Sequence, residues 1–339
     1  MSNWYSVVGN ENDIVVSTRI RLARNLKNTP FPSYMNEQDK KALNEKVKNA
    51  VLNSDTPYAK ALKYISMEDV PENEIYAMVE RHIISPDFAK KTEGRAVIIS
   101  EDESICVMIG EEDHIRIQVI LPGLALNKAY EIADSIDNLL ASKLEFAYDN
   151  QLGFLTECPT NIGTGLRASV MLHLPLLESG SAINEMAETI GKIGFTVRGM
   201  YGEGSKSKAS LYQISNQITL GITEKNAIEN LGVIVGQLIA RERQERNQCD
   251  KIKIEDMVYR AYGILKNQRI LSSDEMMKLV SRLKIGVSMG ILSVDSVLPV
   301  KILIETQPYM LCRKCGEKTP QERDILRAET VRNLIKENV

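Results

Sequence analysis

Four short segments place arginines in a pattern that few folds accommodate. The first is Ser17-Thr18-Arg19-Ile20-Arg21-Leu22-Ala23-Arg24. In a strand, successive side chains point to opposite faces. Arg19 and Arg21 then share one face, and Ile20 and Leu22 take the other. The pattern recurs with Glu112, His114 and Arg116 opposite Ile115, Ile117 and Val119, and with Arg167 and Ser169 opposite Ala168, Val170 and Leu172. Val197-Arg198-Gly199 leaves a fourth strand for a glycine-rich loop. One such strand would be half-exposed with solvated arginines. Four predict a cationic surface shared across one sheet. Guanidinium forks pair bidentately with phosphate oxygens, so that surface suits a nucleoside triphosphate. Alternation instead of continuous apolar runs makes the sheet largely antiparallel, with one functional face. The fold class expected is α+β, with helices flanking the sheet.

Helices are expected at 36–52, 72–81, 125–145 and 181–192, with a long one over about 224–246. The polar run Arg241 to Asp250 reads as a solvated helix end. Beyond it the pattern is wholly helical. Ser272 with Glu275, and Thr319-Pro320-Gln321-Glu322, have the form of capping boxes. This places a boundary near 245, with a catalytic domain over 1–244 and a helical domain over 245–339.

Lys plus Arg number 42 against 45 Asp plus Glu, a net charge of −3. A mildly acidic chain is a poor non-specific ligand for DNA or anionic membrane. The positive charge must therefore act locally. No apolar run reaches the roughly 18–20 residues that span a bilayer, and Met1 to Asp13 has no signal-like apolar core. The five cysteines, an odd number, suit reduced thiols. The expectation is a soluble cytoplasmic protein that binds neither nucleic acid nor membrane.

Common nucleotide motifs fail. The spacing from Gly199 to Lys206 is not that of a Walker A loop. Gly163-Thr-Gly-Leu-Arg-Ala168 fits G-x-G-x-x-A, but Cys158-Pro-Thr-Asn161 precedes it in place of an apolar strand. Protein-kinase H-R-D and D-F-G signatures are absent. Cys312-Arg-Lys-Cys315 is a lone C-x-x-C with only Cys249 nearby, short of the four ligands of a zinc site. A free or redox-sensitive pair, or a half-site completed by another chain, is expected there, and no metal-ligating residue is assigned. His173 is read as a strand residue without a role.

At these residues the sequence resembles the phosphagen (guanidino) kinase family. The resemblance runs through Ser-Thr-Arg-Ile-Arg at 17–21, Glu-Glu-Asp-His at 111–114, Cys-Pro-Thr-Asn-Ile-Gly-Thr-Gly-Leu-Arg at 158–167 and Arg-Gly-Met-Tyr-Gly-Glu at 198–203, within about residues 13–244. It looks most like the bacterial branch that phosphorylates arginine in proteins. The catalytic region begins almost at the N-terminus, leaving no room for the helical domain that closes over a small guanidine. The chain also carries Arg323-Asp324-Ile325-Leu326-Arg327-Ala328, similar to that branch's RDxxRA phosphoarginine-binding motif.

The resemblance implies ATP and Mg²⁺. It implies that Ser17, Thr18, Arg19, Ile20, Arg21, His82, Arg116, Arg167, Ala168, Ser169, Val170, Met171, Arg198, Gly199, Met200, Tyr201, Gly202 and Glu203 bind the nucleotide. Glu112 would be the catalytic carboxylate, Glu203 a second one on the same guanidinium, and Cys158 the reactive cysteine beside it. Gly110 stands where the family has Asn, and Thr18 where Ser is common. Neither change removes a charged catalytic group. Arg323 and Arg327, one turn apart, would share a face. Arg323 lies in the first turn, where the helix dipole disfavours cations, and a phosphate dianion would relieve that. The branch further implies protein substrates presenting arginine, a homodimer, an activator protein, a transcriptional repressor among the substrates and a Clp-type protease downstream. Two other readings remain: a kinase of free arginine or another small guanidine, and a non-catalytic phosphoarginine-binding adaptor.

Overall fold

The computed structural model describes residues 3–54, 60–180, 182–199 and 209–338 of the 339. Its strands, in chain order, are β1 (Val15–Arg24), β2 (Leu62–Ser66), β3 (Ala96–Ser100), β4 (Ile105–Ile109), β5 (Ile115–Pro122), β6 (Tyr148–Asp149), β7 (Gly153–Phe154), β8 (Leu166–His173), β9 (Phe195–Gly199) and β10 (Leu211–Asn216). Eight of them form one sheet in the order β2-β3-β4-β5-β1-β8-β10-β9. Each neighbouring pair is antiparallel. β6 and β7 make a separate hairpin.

The period-two pattern sorts the side chains as the sequence predicts. Ile20 and Leu22 of β1, Ile115, Ile117 and Val119 of β5, and Ala168, Val170 and Leu172 of β8 are fully buried in one core. Each large aliphatic side chain so buried is worth about 1.5–3 kcal/mol. The helices Glu37–Leu52, Leu126–Ala141 and Glu224–Gln248 pack on that face. Arg24 has the same parity as Ile20 and Leu22 and is a structural residue. Its guanidinium is 1% exposed and grips Asp137 of the helix Leu126–Ala141 at 2.7 Å.

Among the described residues, the opposite face is covered at its two ends. Val97, Ile99, Cys106 and Met108 lie beneath the helices Glu72–Glu80 and Pro86–Ala89. Val16, Met171 and Leu211 pack against the C-terminal helices. These are Lys251–Asn267, Ser273–Ser288, Leu298–Glu305, Pro308–Cys315 and Pro320–Glu337. Between the two covers, β5, β1 and β8 border a cavity of about 620 Å³.

The expected helices form with shifted ends. The one expected over 125–145 stops at Ala141, and the long one runs on to Gln248, where Cys249 and Asp250 break it and Asp250 caps the next. Ser272 caps its helix by accepting the Glu275 N–H, and Thr319 with Glu322 makes a full capping box. Two expectations are corrected. β5 begins at Ile115, so strand alternation does not reach His114. His114 is buried, with Nδ1 accepting the Leu26 N–H and Nε2 against the Pro30 carbonyl. Arg323 and Arg327, expected to share a face, differ in exposure: Arg323 is half-buried and Arg327 buried. Arg327 is 1% exposed, and its guanidinium donates to the carbonyls of Thr306 and Leu271 and to Asp324.

Candidate active site

The sheet register brings the predicted arginines together. Arg21 of β1 lies directly opposite Arg167 of β8, and Arg19 lies opposite Ser169. On the other side of β1, Gln118 of β5 faces Arg21, and Arg116 sits two pairs further along, opposite Ala23. Beyond β8, Gln213 of β10 is paired with Met171 and with Arg198 of β9. Arg19, Arg21, Arg116, Arg167 and Arg198 all line the cavity.

Like charges directly opposite in a sheet are destabilising. Burial, followed by Arg167 and Arg116, pushes Arg19 down to about 10. Burial followed by Arg19, Arg116 and Arg167 holds Arg21 well below its ordinary value. The Arg21 Nε is buried and has no hydrogen-bond partner among the described residues. A fold that keeps such a cluster gains from a polyanion that fills it. Among the described residues, Arg19 donates from Nη2 to the neutral Gln213 Oε1 at 2.8 Å.

The carboxylates sit at one end. Arg116 donates from Nη1 to Glu111 Oε2 at 2.7 Å and from Nη2 to Glu112 Oε2 at 3.2 Å. Glu111 is nearly buried and also accepts from the Ser85 hydroxyl at 2.7 Å. Glu112 is the more open of the two, with its side chain 38% exposed. It thus stands at the solvent edge of the phosphate-ready arginines.

Cys158 is drawn toward the same end by a buried knot. Asp113 Oδ1 accepts from Asn25 Nδ2 at 2.7 Å and from the Glu157 N–H at 2.9 Å, while Asn25 Oδ1 accepts the His114 N–H at 2.8 Å. The end of β1, the Glu111–Asp113 loop and the Cys158 loop are thereby fixed to one another. Cys158 is partly exposed, with Sγ 3.1 Å from the Thr160 hydroxyl. The remaining predicted residues of the fourth segment, Met200, Tyr201, Gly202 and Glu203, lie outside the described residues.

Strand parity divides the predicted nucleotide residues. Ser17, Ser169, Met171, His82 and Gly199 line the cavity beside the arginines. Ile20, Ala168 and Val170 send their side chains into the opposite core. Thr18 is also buried, its hydroxyl donating to the Gly123 carbonyl at 2.7 Å and accepting the Ala125 N–H. Those four can meet a ligand in the cavity only through backbone.

His82 adopts a positive φ of 62°, a costly backbone for a non-glycine residue. Three consecutive carbonyls hold it there. Trp4 Nε1 donates to Arg81, and Gln118 Nε2 donates to both His82 and Ile83. Burial and then Arg19 push the His82 imidazole down to about 4, so it is neutral at pH 7.

Several wall residues escape sequence reasoning: Trp4, Glu80, Ser85, Gln118, Gln213 and the C-terminal Val300, Leu303, Ile304 and Gln307. Gln118 shares the parity of Arg116 on β5 and was open to the same argument, whereas Gln213 sits on a strand without arginine and is placed there by its pairing with Arg198. The C-terminal residues carry no local signal, since an apolar helix face reads as core. Among the described residues no group of three or more His, Cys, Asp or Glu could hold a metal ion, and no helix is long and apolar enough to cross a membrane.

Comparisons with known proteins agree with this geometry. Residues 42–245 match the ATP:guanido phosphotransferase C-terminal catalytic domain, and residues 251–338 match the protein-arginine kinase McsB C-terminal domain. The chain is 46% identical over 341 residues to a protein-arginine kinase of Halothermothrix orenii, covering 99% of this chain and 97% of the relative. It is 42% identical over 325 residues to that of Caldanaerobacter subterraneus subsp. tengcongensis, covering 95% and 96%. Among solved structures, a lombricine kinase shares the fold at 20% identity and a TM-score of 0.63, covering 73% of this chain and 71% of that one. The substrate-free duplicated taurocyamine kinase of Schistosoma mansoni does so at 24% identity and a TM-score of 0.61, covering 94% and 51%. The chain belongs to the guanidino phosphotransferases, in their protein-arginine kinase family.

Proposed function

We propose that the chain transfers the γ-phosphoryl group of ATP to arginine side chains of proteins. The observation that carries this is the convergence of five arginines on one cavity, one of which, Arg116, pairs with the carboxylates of Glu111 and Glu112. The full-length relatives named protein-arginine kinase support protein arginine as the acceptor.

Phosphoryl transfer asks the protein mainly for positioning and charge neutralisation. Arg21, Arg116, Arg167 and Arg198 neutralise the phosphate oxygens, and Arg19, steered by Gln213, completes the clamp. A guanidinium has a pKa above about 12 and no nucleophilic lone pair until it loses a proton. Glu112 accepts that proton. The freed nitrogen attacks the γ-phosphorus, an N–P bond forms, the bond to the ADP oxygen breaks and ADP leaves. Glu203 is the proposed second carboxylate on the guanidinium, and Cys158 flanks it. Mg²⁺ neutralises phosphate charge when bound. Among the described lining residues the guanidiniums outnumber the carboxylates of Glu80 and Asp87, so the ion would be held mainly through the phosphate oxygens.

We assign residues 1–244 to the catalytic domain and 245–339 to the helical domain, with Arg323 to Ala328 as the phosphoarginine-binding segment. Arg323 is the more accessible member of that segment's arginine pair. On this reading the marked proteins pass to a Clp-type protease, a stress-response repressor is among the targets, an activator assists, and the chain acts as a cytoplasmic homodimer.

The test is incubation with ATP, Mg²⁺ and an arginine-rich protein, with any required activator present. Acid-labile label should appear on the protein and be lost in Glu112→Gln. Strong turnover of free arginine with none of protein would favour the small-guanidine reading. Phosphoarginine binding without any transfer would favour the adaptor reading.

A further inference from the structure

The cavity does not belong to the catalytic segment alone. Its wall includes Val300, Leu303, Ile304 and Gln307, which lie within the stretch matching the C-terminal family and outside the 42–245 catalytic match. The cavity also has a direction, set by β1. At one end lie Arg21, Arg167 and Arg116, the last paired with Glu111 and Glu112. Arg19 follows, beside Gln213 and influencing His82. At the other end Ser17 and Met171 are paired, and the wall turns apolar where the helix Leu298–Glu305 closes it. Ser17 to Arg21 spans about 13 Å at roughly 3.3 Å per strand residue.

A nucleotide has the same polarity. Its terminal phosphate must reach Glu112, and its base, a flat aromatic group whose faces pack on apolar surface, must lie at the far end of the phosphate chain. Lying there are Trp4, whose ring centroid is 6.4 Å from that of His82, and the helix Leu298–Glu305. Trp4 packs with Ile120, Ile304 and Val300, joining the sheet to that helix. The helix is held in place from the catalytic side. Glu80 accepts the N–H groups of Tyr309 and Met310 at 3.1 and 2.8 Å, capping the next helix, Pro308–Cys315. Arg313 of that helix pairs with Glu74, and Tyr309 stacks on Tyr76 with centroids 4.7 Å apart.

We infer that the C-terminal helix Leu298–Glu305 forms the nucleobase wall of the ATP site, so that nucleotide binding and docking of the C-terminal region stabilise each other. This rests on the nucleotide reading of the cavity. The helix is then a determinant of base binding as well as a part of a separate domain. The triphosphate moiety, held on the sheet, is indifferent to it.

The test uses the full chain, with ATP and inorganic tripolyphosphate, which lacks the base, as probes. Val300→Glu places a carboxylate at the apolar end; Val300→Ala only shortens the side chain and guards against a folding defect. Val300→Glu should weaken ATP binding about tenfold or more, the scale of a poorly matched apolar pocket, with tripolyphosphate changed less than about twofold; Val300→Ala should show a smaller loss of the same selectivity. ATP, and not tripolyphosphate, should slow amide exchange over 298–307. Equal effects of the Val300 variants on both probes, or no ATP-specific protection there, would overturn the inference while leaving the site intact. A wild-type chain that binds neither probe would overturn the nucleotide reading as well.

Discussion

Replacing Arg21 by Met should make the nucleotide-free protein more stable while abolishing its response to ATP. Arg21 faces Arg167 across the β1–β8 ladder and has a buried Nε without a partner among the described residues. At roughly 6 Å and an effective dielectric near 20, one such pair repels by about 3 kcal/mol. An unsatisfied buried donor costs about 1–3 kcal/mol. Methionine keeps much of the apolar stem and removes both terms, so a net gain of about 2–4 kcal/mol is expected after lost packing. An unfolding entropy of roughly 2.1 cal/mol/K per residue gives about 0.7 kcal/mol/K for this chain, hence a rise of about 3–6 °C in Tm. Wild type should gain about 2.7 kcal/mol, or about 4 °C, from ATP at one hundred times its Kd. Arg21→Met should gain almost none. Thermal unfolding of both proteins with and without ATP reads the whole pattern. A variant that melts earlier than wild type and still responds to ATP would refute the argument that the arginines are held in mutual strain for a polyanion.

Further outcomes follow from the buried charges of the C-terminal region and its contacts. Arg327→Ala should cost about 3–5 kcal/mol in urea unfolding, because it strips Thr306, Leu271 and Asp324 of a buried partner; Arg323→Ala, which loses one bond to the Lys318 carbonyl, should stay within about 0.5 kcal/mol. Equal costs would contradict the structural role of Arg327, and unequal ones mean that phosphoarginine binding is best dissected at Arg323. Burial pushes Glu80 up to about 7 from an ordinary 4.5. The folded chain therefore takes up a proton between those values; the stability associated with it is full below 4.5 and lost as pH rises through 7. Glu80→Gln keeps an acceptor for Tyr309 and Met310 without the charge, so it should gain about 2–3 kcal/mol on wild type between pH 5 and pH 8. Parallel stability curves would show that Glu80 titrates normally.

The arginine face was legible because strand parity is local. Arg19, Arg21, Arg116, Arg167 and Arg198 needed only the period of two, and the same rule assigns Arg24 to the core side with Ile20. His114 was misplaced because the strand begins one residue after it, and nothing in the alternation marks where pairing starts. Arg327 looked like a partner of Arg323 because helical spacing shows which residues are neighbours, not which face is buried. The largest omission was the C-terminal wall. Val300, Leu303 and Ile304 read as ordinary helix core, and only tertiary packing places them against a cavity built by β1, β5 and β8. The positive φ of His82 was equally silent, since Trp4 and Gln118, far away in sequence, hold it.

The central claim is the identity of the phosphorylated atom. The decisive measurement is residue-level mass spectrometry of a protein substrate after reaction with ATP and Mg²⁺, handled at neutral pH to preserve N–P bonds. The account predicts phosphate on arginine side chains with wild-type enzyme and none with Glu112→Gln. Phosphate on serine, threonine or tyrosine, or arginine phosphorylation undiminished in Glu112→Gln, would contradict it.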